Sequence, residues 1–242
     1  VIVLMSQDAL PRNCRWLARL VEPFTDPSVA ATFSRQVPHA TAKPMEKYFY
    51  DTHFPDGAPV RRVMHEERDL GFQDVFFSNV SSAIRRDILL RYPFDEGVIM
   101  SEDQQFARDV LKAGFTTVYQ PKSEVIHSHN YSLKNVFQRY FDSCYSLTKI
   151  FDGHDTGESA RIGLTYLCKE LRFMLRHHPL WLPYYFCFVC ARSLGTLAGH
   201  HAERLPRSMA RAFSMHKYHW DASAKSKVKP VANPDGTDCS ID

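Results

Sequence analysis

The sequence predicts an α/β fold, a sheet flanked by helices and followed by a helical C-terminal region. Three observations carry that expectation. Residues 1–37 read as strand, helix and strand, and residues 75–126 repeat that alternation. From Leu133 onward the chain turns to helical periodicity and keeps it. A strand–helix–strand unit ordinarily returns parallel to its start, so the sheet is expected to be parallel over residues 1–37. The 242 residues are enough for one large domain, or for a domain with an appendage.

Taken in order, VIVLM is a continuous apolar run, as in a strand covered on both faces, and it ends on Ser6-Gln7-Asp8. CRWLARLVEPF sets Trp16, Leu17, Leu20, Val21 and Phe24 on one helical face, with Asn13 as a candidate cap. Pro27 interrupts, and VAATFSRQV is the next strand. Residues 38–70 lack clean periodicity, as functional loops do, with one helix expected around residues 45–51. DVFFSNVSSAIRRDILL predicts a strand over residues 75–77 and a helix from near Ser82. In MSEDQQFARDVLKAGF, Ser101 and Gln104 match a capping box, Phe106, Val110 and Leu111 form the apolar face, and Gly114 is the stop. TTVYQP is a short strand, and Val125 and Ile126 lead into HSHNYS. KNVFQRYFDSCYSLTKIF spaces Val136, Phe137, Tyr140, Phe141 and Leu147 for a helix. After a Gly/Asp break at residues 152–157, a second helical region runs to about residue 212, and the tail from residue 221 lacks the apolar content to pack. The expected organisation is residues 1–150, 151–220 and a disordered 221–242.

The net charge of +3 is unevenly placed: residues 161–220 hold nine Lys/Arg and six His against Glu170 and Glu203. Such a region suits an anionic partner, although the cations form no dense patch of the kind nucleic acid requires. The six cysteines show no disulfide spacing, which fits a reducing compartment, and the Cys187–Cys190 pair, set in YYFCFVCA, reads as apolar packing. No segment reaches the length that spans a bilayer. Residues 179–191, with Trp181, Tyr184 and Tyr185, fit either a buried helix or a segment lying in a membrane interface.

Four features carry candidate chemistry: Asp8, Asn79 with its flanking serines, Glu102–Asp103, and His127 with His129. Asp8, residues 78–82 and His127 each follow an expected strand, and ligands of open α/β sheets bind beyond the strands' carboxyl ends. Singly, each has a plain reading. Asp8 serves equally as a turn former, the acids of a first helical turn answer the helix dipole, and two histidines are a weak metal signal. Only one of two adjacent helical acids can face a cleft.

The order SQDALP, FFSNVSSAIRR, MSEDQQFARDVLKAGF and VIHSHNYS resembles family 2 inverting glycosyltransferases of the GT-A fold, in particular bacterial rhamnosyltransferases of O-antigen assembly. LCKELRFMLRHHPLWLPYY and FSMHKYHW extend the resemblance to about residue 220. It implies a mixed GT-A sheet, a nucleotide-sugar donor (dTDP- or UDP-sugar, with dTDP-rhamnose foremost) and a saccharide or lipid-linked acceptor. It also implies work at the cytoplasmic face of the inner membrane. Asp8, with Gln7, takes the place of the family's metal motif on the donor diphosphate, Ser6 standing where its first Asp is usual. The ion is Mg²⁺ or Mn²⁺, with His127, or else His129, completing the contact. Asp103, beside Glu102, is the implied general base, kept ionised by the helix N-terminus. Asn79, Ser81, Arg35 and Gln36 are placed near the acceptor. The resemblance further implies that residue 1 falls midway through the nucleotide-binding half, the earlier donor-side strands lying upstream. A non-catalytic membrane-surface or saccharide-binding module is the alternative from another class. A nucleotidyltransferase lacks support, since no Gly-rich phosphate loop is present.

Overall fold

The computed structural model describes residues 1–64, 70–151 and 156–221. Residues 222–242 of the tail expected to be disordered, and residues 152–155 of the Gly/Asp break, lie outside the described residues, while Asp221 is held by Arg211 at 2.6 Å. In chain order the elements are β1 (Ile2–Met5), β2 (Leu10–Pro11), α1 (Trp16–Val21), β3 (Val29–Val37), α2 (Pro44–His53), β4 (Val60–Arg62), β5 (Ser81–Ile84), α3 (Arg86–Arg91), α4 (Glu102–Lys112), β6 (Thr116–Ile126), α5 (Leu133–Ile150), α6 (Thr156–His177), α7 (Leu182–His200) and α8 (Arg207–Phe213).

The sheet is mixed, ordered β1-β5-β3-β6-β2, with β4 also on β6. β3 is central and covered on both faces. On one, Phe33 meets the rings of Phe54, Phe76, Phe77 and Tyr119. On the other, small hydroxyl residues let α1 approach closely. Thr32 donates to the Leu20 carbonyl, Ser34 bonds Ser81 and Ser123, and Trp16 Nε1 donates to Ser81. Thr32, Ser34, Ser81 and Ser123 therefore each have a partner for the buried hydroxyl, which avoids the cost of an unmade bond.

The sheet corrects the expectation of parallel pairing over residues 1–37. β1 and β3 point the same way, but β5 lies between them, antiparallel to both, and the parallel pair is β3 with β6. β5 also replaces the helix expected from Ser82. Ser81 fits the narrow gap beside Ser34, Ser82 turns to the other face and donates to Asn79, and helix α3 starts only at Arg86. Val75 and Phe77 are buried as expected but in a loop, without strand pairing. β6 joins two segments that read separately because a bulge between Ser34↔Gln120 and Arg35↔Glu124 absorbs Pro121, which has no N–H for the ladder. The capping box does not form. Ser101 has φ 68°, a left-handed conformation unusual outside glycine, and its side chain caps nothing. Asn13 accepts from Arg15 N at 3.0 Å, and α1 begins one residue later.

α2, α5, α6 and α7 share a second core around Met45, Val136, Met174, Tyr185 and Phe188. α5 and α7 cross closely because Gly195 and Gly199 face the Phe137 and Phe141 carbonyls, where a Cβ would collide. Cys187 and Cys190 are exposed on α7 instead of packed, since the inward face of that helix is taken by Tyr185, Phe188 and the glycines.

Candidate functional site

Three strand ends and one helix start converge at one edge of the sheet. After β1, Ser6 N bonds the Val80 carbonyl at 3.0 Å and Ala9 N the Ser6 carbonyl at 3.1 Å, closing a turn that exposes Gln7 and Asp8. After β6 the chain stays extended, so residues 127, 129 and 131 share one side and residues 128 and 130 the other. The second set is tied to the loop before α2: Ser128 Oγ accepts from His39 N and Asn130 Oδ1 from Lys43 N, both at 3.0 Å. The first set faces Asp8, whose Oδ2 lies 3.6 Å from Nε2 of both His127 and His129.

Asp8, His127 and His129 can each offer one ligand atom, all within 4.8 Å of one another. Ligands at about 2.1 to 2.3 Å from one ion stand roughly 3 to 4 Å apart, so this spacing suits a cation between them. The protonation states agree. His127 Nδ1 lies 2.9 Å from Gln36 Oε1, an atom that only accepts, so the ring proton belongs on Nδ1 and Nε2 is bare. Burial, helped by the neighbouring His129, pulls the His127 pKa down to about 4, and burial lowers that of His129. A neutral imidazole lone pair aimed at a carboxylate oxygen is repulsive unless positive charge sits between them. Two imidazoles and one carboxylate with open positions suit a divalent transition ion better than Mg²⁺, which favours an all-oxygen shell.

Gln36 also ties this cluster to the helix start. Its Nε2 donates to Ser78 Oγ at 2.9 Å, and the next residue's N–H, of Asn79, donates to Asp103 Oδ2 at 3.1 Å. Asp103 Oδ1 accepts from Gln104 N at 2.9 Å. Despite both bonds, the Asp103 pKa is pushed up to about 7, by burial first and by Glu102 second. The dipole was expected to keep this group a weak base; desolvation outweighs it, and the carboxyl is matched to proton transfer near neutrality. Ser101, in its left-handed conformation, sets the start of α4 from which Asp103 projects.

Two residues expected near the acceptor lie away from Asp8, His127 and Asp103. Ser81 is buried, its hydroxyl engaged by Ser34 and Trp16 on the α1 side of the sheet. Arg35 alternates with Gln36 along β3 and so points away, bonding Glu124 at 2.9 Å and the Phe54 carbonyl at 3.2 Å. Gln36 itself is held between Ser78 and His127. Asn79 lies beside Asp103, its side chain accepting from Ser82 Oγ at 3.1 Å.

The structure also adds residues that the motifs did not single out. Tyr50, on α2, places its hydroxyl 3.4 Å from His127 Nδ1. The Tyr131 ring packs tilted against His129 with ring centroids 4.9 Å apart, and the exposed Arg139 guanidinium lies 5.6 Å from the Tyr131 ring. Arg139 thus stands beside the cluster as an accessible cation. A period-two reading of His-x-His-x-Tyr would have flagged Tyr131; Tyr50 and Arg139 reach the site only through the packing of α2 and α5.

No family model matches the chain. It is 32% identical over 233 residues to the O-antigen chain rhamnosyltransferase RfbN of Salmonella typhimurium (strain LT2), across 96% of this chain and 74% of that protein. It is 31% identical over 232 residues to the O-antigen chain rhamnosyltransferase WbaN of Salmonella anatum, across 95% of this chain and 73% of that protein.

Proposed function

The chain belongs to the O-antigen rhamnosyltransferase family and is a glycosyltransferase, and we propose that it transfers rhamnose from dTDP-rhamnose to a saccharide or lipid-linked acceptor with inversion. In this reading, which takes the fold to be GT-A, the acceptor lies at the cytoplasmic face of the inner membrane. Asp103 takes the proton of the attacking hydroxyl as the new bond forms from that oxygen to the anomeric carbon. The bond from the anomeric carbon to the diphosphate oxygen breaks, and both its electrons leave with the nucleoside diphosphate. Asp103 is suited to this by its pKa of about 7, which leaves about half of it ionised and able to accept a proton at neutral pH without becoming a feeble base.

Asp8, His127 and His129 would hold a divalent ion, Mn²⁺ in preference to Mg²⁺ on their donor set. Such an ion, when bound, supplies Lewis-acid stabilisation of the departing diphosphate. Gln36 and Tyr50 orient His127, and Arg139 gives the diphosphate a further cation. The observation that supports the reading most directly is the continuity from Asp103 through Asn79 and Ser78 to Gln36 and His127. In this reading the base and the diphosphate side share one hydrogen-bonded edge.

The test is to incubate the protein with Mn²⁺, a lipid-linked acceptor fraction and either dTDP-rhamnose or a UDP-sugar. Transfer from dTDP-rhamnose, with the anomeric configuration of the product opposite to that of the donor, is expected. Retention of configuration, or transfer from the UDP-sugar alone, would overturn the proposal.

A further inference from the structure

α7 is apolar around most of its circumference, a pattern that in a water-soluble helix goes with burial on all sides. Only one side is buried. Tyr185, Phe188, Gly195 and Gly199 turn inward, while Phe186, Cys190, Leu194 and Leu197 follow one another at helical spacing along the opposite side. Phe186 is 55% exposed and Leu194 and Leu197 are each 58% exposed, and Leu180 just ahead of the helix is 94% exposed. Single exposed leucines are ordinary, but a continuous stripe of them marks a contact surface.

The charges on α6, the helix that packs against α7, select the occupant of the stripe. On α6, Arg161, Lys169, Arg172 and Arg176 are all exposed. Among the described side chains of α6 and α7 the one acid is Glu170. It is buried, accepting from Arg192 at 3.2 and 2.6 Å and from the Tyr185 hydroxyl at 3.2 Å. The exposed, described side chains of the two helices therefore include apolar residues, cations and neutral polar groups but no acid. A second copy packed through the same face would set those cations against their like, whereas lipid phosphates complement them. No described helix is long and apolar enough to cross a membrane.

We infer that the outward face of α7 docks on an anionic bilayer, its apolar side chains in the headgroup–acyl boundary and the α6 cations against lipid phosphates. The contact differs from the aromatic cluster expected at residues 181–185. Tyr185 is buried, and the Tyr184 hydroxyl is held by Lys43 Nζ at 2.8 Å. The assignment extends the proposed placement at the membrane face, and its test is independent of sugar transfer.

The protein is floated, without donor or acceptor, with vesicles of phosphatidylethanolamine and phosphatidylglycerol, and in parallel with phosphatidylcholine alone. Binding to the anionic vesicles that weakens with salt is expected. The combined variant F186E/L194E/L197E, at positions already exposed, should lose at least about a hundredfold in partitioning while keeping its far-ultraviolet circular dichroism and melting temperature. R172E/R176E should lose the preference for phosphatidylglycerol and keep the fold. Transfer to a water-soluble acceptor, measured without vesicles, should be unchanged in both variants, which separates failure of this surface from failure of the chemistry. Unchanged flotation of the triple variant would overturn the inference. So would a wild-type protein that ignores anionic vesicles, or one that is a dimer which the triple variant dissociates.

Discussion

Burial of Asp103 has a consequence for stability with a definite sign. An acid whose folded pKa is raised contributes its full stability below the unfolded value, and loses it as pH climbs towards the folded value. Here that window runs from the ordinary 3.8 to about 7. A rise of that size corresponds to roughly 4 kcal/mol as an upper limit, because water that reaches the carboxyl lessens it. Asp103→Asn replaces the titrating group with a neutral one of the same shape. It also turns an amide N–H₂ towards one of two backbone donors, Asn79 N or Gln104 N, which costs about 1 to 3 kcal/mol at every pH. The signature is therefore the pH dependence of the difference between variant and wild type. Urea denaturation at intervals from about pH 4 to 8 should show the variant gaining on wild type by up to about 4 kcal/mol across the window, then running parallel above about pH 7. Glu46, whose pKa burial also lifts to about 7, is present in both proteins and cancels. A difference that stays constant with pH would refute the assignment of a desolvated carboxyl at residue 103.

Gln36→Leu removes the acceptor that fixes the His127 tautomer. It should weaken Mn²⁺ binding about 10- to 100-fold by calorimetry or electron paramagnetic resonance, with Gln36→Glu restoring most of it; unchanged affinity would show that Gln36 does not orient the ring. Arg139→Ala should weaken dTDP binding about tenfold while leaving the melting temperature alone, and equal binding would remove Arg139 from the diphosphate site. Gly195→Ala should destabilise the protein by about 1 to 3 kcal/mol, since the α5–α7 crossing must open to admit a methyl group; a neutral substitution would mean that the crossing is looser than described.

The fold was legible wherever one period ran unbroken. VAATFSRQV is β3, the expected helix around residues 45–51 is α2, and the pattern from Leu133 is α5. It failed where small polar residues stood in the core. In the strand SSAI the buried Ser81 hydroxyl is satisfied by Ser34 and Trp16, 47 and 65 residues away, a fact with no local trace. Pro121 hid the length of β6 because a bulge can absorb a proline that a regular ladder cannot. In the candidate site, the residues at strand ends were legible because topology alone delivers Asp8 and His127 to one edge. Arg35 and Gln36 were read as a pair, yet alternation along a strand sends one to Glu124 and the other to His127. The strength of Asp103 as a base was misjudged for a related reason: a sequence displays the helix dipole but not the burial that outweighs it.

The most direct test of the account is the pH–rate profile of single-turnover rhamnosyl transfer for wild type, Asp103→Asn and Glu46→Gln, with dTDP affinity measured alongside. The account predicts a rising limb near pH 7 in wild type and in Glu46→Gln. It predicts a rate lower by about 10² to 10⁴ without that limb in Asp103→Asn, with dTDP affinity unchanged. An Asp103→Asn protein that turns over at the wild-type rate, or that keeps the limb while Glu46→Gln loses it, would contradict the claim that Asp103 is the base.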